Sequence, residues 1–171
     1  IMEAKDLPAM PSWTPIPEHA AKKSDDLILT TYKFATQIHS RSVNCKFLTE
    51  IYHNNPAWIN PVTAEAKGIG DGDLIKLKSE FGEIETKARV TPAIVPGAVA
   101  ISHHCGHWEY GRYASGKKPP EQAGGQADDD VKRIWWSDER GVHPNWLIGN
   151  KADPISGQMR WMDTVVSVVK A

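Results

Sequence analysis

Residues 74–90 read LIKLKSEFGEIETKARV, and this stretch decides the fold. In its second half Ile84, Thr86, Ala88 and Val90 alternate with Glu83, Glu85, Lys87 and Arg89, so an extended segment has one apolar face and one wet face. Leu74–Ser79 supplies a first strand, and the link Glu80-Phe81-Gly82 is short enough to join the two as an antiparallel hairpin. Ile84, Ala88 and Val90 are therefore expected inside, with Glu83, Glu85 and Lys87 outside.

The flanks extend the same pattern. Upstream, Gly70-Asp71-Gly72-Asp73 is a turn, and before it Asn60-Pro61 is a helix start, Asn capping and Pro occupying the first position. Thr63–Lys67 continues that helix, and Gly68 ends it in the left-handed conformation. Further back, Leu27–Thr31 is β-rich, and Phe47–Tyr52 spaces its apolar residues for one or two helical turns. Downstream, Pro96-Gly97 leads into the apolar run Ala98–Ile101, and Asp163–Lys170, carried by Val165, Val166, Val168 and Val169, is a last strand. Between Ser102 and about Pro144 regularity is lost over an unusually long stretch, the kind of connection that is normally functional or mobile. Within it, the Pro-, Gly- and Asp-rich run from Lys117 to Asp130 is expected to be mobile. Five or six short strands with two short helices predict an all-β barrel whose functional residues sit on the connections.

Composition narrows the class. The 171 residues are 40% hydrophobic and 24% charged, enough for one domain that buries roughly 70% of its unfolded surface without staples. Lys and Arg (20) balance Asp and Glu (21), so the basic footprint of a nucleic-acid binder is missing. No run reaches the 18 or so apolar residues of a membrane span, and no signal-peptide pattern opens the chain. Residues 1–25, with Pro8, Pro11, Pro15 and Pro17, read as an extended lead-in from a preceding domain, and residues 26–171 as the domain proper. Ile1 in place of Met fits a piece of a longer chain. Cys45 and Cys105 have no CxxC spacing and indicate no compartment.

Two clusters stand out from this background. Gln37-Ile38-His39-Ser40-Arg41-Ser42-Val43-Asn44 crowds hydroxyls, an imidazole, a guanidinium and amides at the end of the first strand, donors suited to a phosphate or a heteroaromatic ring, although a solvated loop would look alike. His103-His104-Cys105-Gly106-His107 is the only local ligand cluster, and it would hold zinc only by a tight wrap.

The order of the remaining pieces resembles a known family. Asn55-Pro56-x-Trp58-Ile59-Asn60-Pro61, then Ala64, Ala66, Gly68-Ile69, Gly72-Asp73-Leu74-Ile75 and Val95-Pro96-Gly97-Ala98-Val99 resemble the C-terminal dinucleotide-binding domain of the dimethyl-sulfoxide-reductase family of molybdopterin oxidoreductases. His39-Ser40-Arg41 with Asn44 upstream, and Asn145 with Asp153-Pro154-x-Ser156-Gly157 downstream, fall in the order of that domain, so the resemblance covers about residues 25–170. It implies a mainly β fold, a six-stranded double-psi β-barrel with a few short helices and a long irregular loop. It also implies a bis-(molybdopterin guanine dinucleotide) cofactor with molybdenum or tungsten, serving two-electron redox chemistry in anaerobic respiration.

Carried over from the resemblance, the cofactor contacts are Gln37, His39, Ser40, Arg41 and Asn44, then Ser102, His103, His104 and His107, with a second contact at Asn145, Asp153, Ser156, Gly157 and Gln158. Asn and Gln offer paired donors and acceptors to a pterin edge, and hydroxyls with Arg suit a pyrophosphate. The Asn60–Gly68 and Gly72-Asp73 pieces recognise the fold and not the ligand, their chemistry being capping and turning. No catalytic residue and no metal ligand is assigned within this chain. In the family the metal-ligating residue and any iron–sulfur cluster belong to earlier parts of the polypeptide. The implied partners are the remaining domains of a catalytic subunit, with iron–sulfur electron-transfer and membrane-anchor subunits, in a bacterial or archaeal enzyme of the periplasm or cytoplasm. The His/Trp/Tyr content of Ser102–Tyr113 loosely resembles subgroups acting on sulfur or arsenic oxyanions. By itself the chain is expected to be catalytically silent. Two rival readings are a freestanding β-barrel interaction module docking through Trp108, Trp135 and Trp136, and a small metallohydrolase built on the His103–His107 cluster.

Overall fold

The computed structural model describes residues 9–10, 12–42, 46–52, 54–104 and 142–171. Six strands, β1 (Leu27–Tyr32), β2 (Ala57–Ile59), β3 (Leu74–Lys78), β4 (Glu83–Val90), β5 (Ala98–Ser102) and β6 (Thr164–Lys170), close a barrel in the spatial order β1-β5-β2-β4-β3-β6. The expected hairpin is β3–β4, with Leu77 opposite Ile84 and Ile75 opposite Thr86. Ile84, Thr86 and Ala88 point inward and Glu83, Glu85 and Lys87 outward, whereas Val90, at the strand's last position, is only partly covered.

Two pairings are parallel, β1 with β5 and β2 with β4, in a barrel otherwise joined antiparallel. A parallel pair needs a crossover, and the two crossovers interlock, which makes the barrel a double-psi one. Strand directions then sort the connections. β1, β3 and β5 run one way and β2, β4 and β6 the other, so the β1–β2, β3–β4 and β5–β6 connections leave one end, the loop end. The β2–β3 and β4–β5 connections close the opposite end.

That closed end is built from the capping chemistry expected of it. Helix α3 (Pro61–Ala66) starts at Asn60, whose Oδ1 accepts from Val62 N–H at 2.9 Å while its Nδ2 donates to Ile94 O at 2.7 Å. Gly68 follows at φ 64°, a conformation that a side chain at this position would strain. Asp73 accepts from Gly70 N–H and pairs with Lys170 at 2.8 Å, tying the turn to β6.

The interior is filled by Leu27 and Leu29, Ile59, Ile75 and Leu77, Ile84, Val99 and Ile101, Val166 and Val168. At the loop end Leu147 and Ile148 close it, following a 3₁₀ turn at Pro144–Trp146. Residues 1–25 were expected to be extended. Of their described part, Pro17–Ala20 form one helical turn, α1, docked on the barrel by Glu18, which pairs with Lys151 at 2.7 Å and Arg160 at 3.1 Å. Helix α2 (Lys46–Ile51) lies in the β1–β2 connection, as its apolar spacing indicated. Among the described residues no helix is long and apolar enough to cross a membrane. The Lys117–Asp130 run and Trp108, Trp135 and Trp136 lie outside the described residues.

Candidate functional site

The residues predicted to bind a cofactor belong to two connections, β1–β2 and β5–β6, apart from Ser102, the last residue of β5, and both connections open at the loop end. In the first, the Gln37 side chain is buried and both its amide nitrogen and its amide oxygen are bonded. Its Nε2 donates to Tyr52 O at 3.2 Å and its Oε1 accepts from Ser42 Oγ, while Ser42 Oγ accepts from Ile38 N–H at 2.7 Å. This brace pins both ends of the 3₁₀ turn His39–Arg41. Between them His39 is held at φ 48°, the one non-glycine residue at positive φ among the described residues, a strained placement that the brace sustains. Arg41 is exposed on the same turn.

The second connection is anchored by a residue that sequence reading treated only as part of the family pattern. Asn55, just before β2, is buried. Its Nδ2 donates to Ser102 O at 2.6 Å and Val142 O at 2.7 Å, and its Oδ1 accepts from Ser102 N–H at 3.1 Å. Its own carbonyl accepts from Thr86 Oγ1 at 2.8 Å. One amide thus holds the chain where it departs, at Ser102, and where it returns, at Val142. Ser102 Oγ in turn accepts from His104 N–H at 3.3 Å.

These anchors bring His39, His103 and His104 together. Ring centroids are 5.1 Å apart for His39–His103, 5.3 Å for His39–His104 and 4.3 Å for His103–His104, and one nitrogen from each ring lies within 4.8 Å of the others. His104 is fully buried, and neither of its ring nitrogens has a hydrogen-bond partner; His103 Nδ1 is also without one. Buried polar atoms of this kind are rare in folded proteins, and they leave acceptor and donor positions here that a bound group or water can use. Burial, then the neighbouring His103, His39 and Lys33, push the His104 pKa down to about 4, the backbone of His39 pulling weakly the other way. Burial, then His39 and Lys33, lower that of His103 too. Near neutral pH both are therefore uncharged and offer lone pairs. Trp161 stands edge-on to His103 at 5.9 Å.

The second predicted contact region is a separate unit. Asn145 is exposed on its 3₁₀ turn and donates its N–H to His143 Nδ1 at 3.1 Å. Asp153, Ser156, Gly157 and Gln158 form a tight turn on a short hairpin bridged at Ala152 and Met159. Asp153 Oδ1 accepts from the N–H groups of Ile155 and Ser156 and from Ser156 Oγ, and Gly157 takes φ 72°. Those bonds, that from Ser156 N–H first, hold the Asp153 carboxyl below its ordinary range. Among the described residues no hydrogen bond or ion pair joins this turn to the histidine cluster. The structure thus gathers Gln37, His39, Ser102, His103 and His104 closely, with Ser40 and Arg41 on the same turn, and leaves Asn145 and residues 153–158 apart from them at the loop end. Asn44 and His107 lie outside the described residues.

Comparison with known proteins agrees with this architecture. A family model described as a molydopterin dinucleotide binding domain matches residues 27–164. The arsenate respiratory reductase molybdopterin-containing subunit ArrA of Shewanella sp. (strain ANA-3) is 36% identical over 80 residues, 47% of this chain and 9% of that protein. The dimethyl sulfoxide reductase DmsA of Escherichia coli (strain K12) is 34% identical over 86 residues, 50% of this chain and 10% of that protein. Among solved structures, acetylene hydratase from Pelobacter acetylenicus superimposes with a TM-score of 0.70 at 16% identity, covering 99% of this chain and 22% of that one, a likeness of fold. The chain spans about a tenth of the length of these curated relatives.

Proposed function

The chain belongs to the molybdopterin dinucleotide-binding domain family, and on that premise we propose that it is the C-terminal, cofactor-capping domain of a molybdenum or tungsten oxidoreductase catalytic subunit, holding the pterin and dinucleotide part of a bis-(molybdopterin guanine dinucleotide). When bound, that group supplies two-electron redox chemistry at its metal; the domain supplies binding and orientation. What supports the reading is the convergence of the β1–β2 and β5–β6 connections at one barrel end, where buried imidazole nitrogens lack partners.

The residues fit such a group. The free nitrogens of His103 and His104 complement the amide-like edge of a pterin, and the exposed Arg41 guanidinium on a braced turn suits a pyrophosphate, in two parallel hydrogen bonds. Ser40 and Asn44 belong to the same phosphate-facing segment, and Ser102 and His107 to the pterin-facing one. Gln37 acts through the turn it braces. Asn145, Asp153, Ser156, Gly157 and Gln158 form a second wall. The remaining domains of the subunit complete the pocket, and iron–sulfur electron-transfer and membrane-anchor subunits complete the complex. The substrate class is a sulfur or arsenic oxyanion, a reading favoured by the likeness to a protein named an arsenate respiratory reductase.

The test is Arg41→Ala in the full-length enzyme, assayed for metal content and for pterin released by oxidation. A charge-assisted contact is worth about 1.5–3 kcal/mol, so occupancy falls while the barrel, to which exposed Arg41 contributes nothing internal, keeps its stability. Unchanged pterin and metal content overturns the assignment.

A further inference from the structure

We propose that His39, His103 and His104 form a three-imidazole site for a divalent transition-metal ion of the zinc, cobalt or nickel class, distinct from any metal carried by the pterin. The sequence did not reveal it, because its members come from two connections 64 positions apart and meet only when the barrel has closed.

Geometry carries the assignment. Zinc–imidazole bonds of about 2.0–2.1 Å place tetrahedral ligands roughly 3.4 Å apart, and the three nitrogens already lie within 4.8 Å of one another. Modest ring rotations close the difference. The backbone that carries the rings is held, around His39 by the Gln37–Ser42 brace and at His104 by the Ser102 hydroxyl and the Asn55 clamp, so binding has only side-chain rotations to fix. Both His104 nitrogens and His103 Nδ1 have no hydrogen-bond partner, so only the weak pull of the His39 backbone on His104 has to be displaced there. The donor set is all imidazole, which selects zinc, cobalt, nickel or copper over magnesium or calcium. His103 and His104 are held in the neutral form that ligates a metal. His39 is exposed, which leaves a side open for water as a further ligand, the arrangement of three protein ligands and one exchangeable position. Lys33, whose charge reaches His103 and His104, weakens binding without occupying a ligand position. The ion and the pterin cofactor would use the same imidazoles and so exclude each other, but the ion site rests on the geometry alone and not on the cofactor reading.

The experiment uses the 171-residue chain without a histidine tag, stripped with chelator and titrated with Co2+ while visible absorption is followed, then with Zn2+ in competition. One equivalent of Co2+ is expected, with ligand-field bands of a low-symmetry nitrogen site that vanish when Zn2+ is added. His39→Asn keeps a residue that tolerates positive φ and His103→Gln keeps a polar side chain; each lowers Co2+ affinity at least about tenfold, with the ion-free thermal midpoint little changed. Binding should also raise the thermal midpoint of the unsubstituted chain, since the unfolded chain separates the ligands. A folded chain that develops no Co2+ absorption overturns the proposal. So does full affinity in both variants, or uptake of several equivalents indifferent to them.

Discussion

Gly82, at the tip of the β3–β4 hairpin, lies so close to the backbone carbonyl of Trp146 that any Cβ at position 82 would overlap that oxygen. The hairpin and the segment that delivers Leu147 and Ile148 to the core are thus fitted backbone to backbone. Gly82→Ala should destabilise the barrel by about 1–3 kcal/mol, the range for overpacking a close contact, measured by urea unfolding. Gly149→Ala also meets an obstacle, the ring of Phe81, but that ring is half-exposed at the end of a side chain and can swing aside, so the cost should be smaller. Equal costs would show that the Gly82 contact yields as easily.

Asn55 clamps both ends of the β5–β6 connection. Asn55→Ala leaves buried Ser102 and Val142 backbone groups short of partners and should cost about 2–3 kcal/mol or more, at 1–3 kcal/mol per stranded buried group. Asn55→Asp is the sharper test, because it turns an acceptor toward two carbonyl oxygens. An aspartate variant as stable as the parent would refute the clamp.

Acid should destabilise the chain in two stages. The His103 and His104 pKa values are depressed from 6.5, that of His104 to about 4, so the unfolded chain binds protons that the folded one refuses. The stability this represents is present above pH 6.5 and is lost as pH falls toward 4. Glu18, lowered from 4.5 to about 2 by Lys151 first and by Arg160, behaves alike in a lower window: its contribution is present above 4.5 and lost as pH falls through 2. Urea midpoints at pH 7, 6.2 and 5.5 should therefore decline before carboxylates titrate appreciably, and His104→Gln should flatten that upper stage. A flat response between pH 7 and 5 would contradict it.

Purified alone, the 171-residue chain should fold yet contain neither molybdenum nor tungsten and show no dye-linked redox turnover. One wall supplies a share of the contacts to a cofactor this large, and each 1.4 kcal/mol lost weakens binding about tenfold. Stoichiometric molybdenum or tungsten in the isolated chain, measured by metal analysis, would show that it is a complete site.

The parts of the fold that were legible in the sequence are those whose signal is local. The alternation at Ile84, Thr86 and Ala88 needs only neighbours along the strand, and α3 is bracketed by Asn60-Pro61 and Gly68. β2 was not assigned as a strand because its three residues, Ala57-Trp58-Ile59, are too few to show a period. Leu147 and Ile148, just past the irregular stretch that ends near Pro144, carried no assignment, and only the closed barrel makes them core. In the site, the polar character of residues 37–42 was visible, but the meeting of His39 with His103 and His104 depends on long-range pairing that no spacing encodes. Asn55 carried no separate signal, since an asparagine before proline reads as an ordinary turn. Asp153 and Ser156 were picked out by the family pattern, and what the structure adds is that they spend hydrogen bonds on each other.

β6 is hydrogen-bonded to β1 on one side and β3 on the other, and it is the last of the six barrel strands in sequence order. During vectorial synthesis the other five strands can pair only as an open sheet with two raw edges until residues 164–170 leave the ribosome. The segment returning from Val142 through Leu147 to Trp161 is tethered directly to that same strand. Closing the barrel and completing the loop end are therefore one late event, and a nascent chain stalled a few residues short of Thr164 would possess neither a sealed core nor a finished pocket.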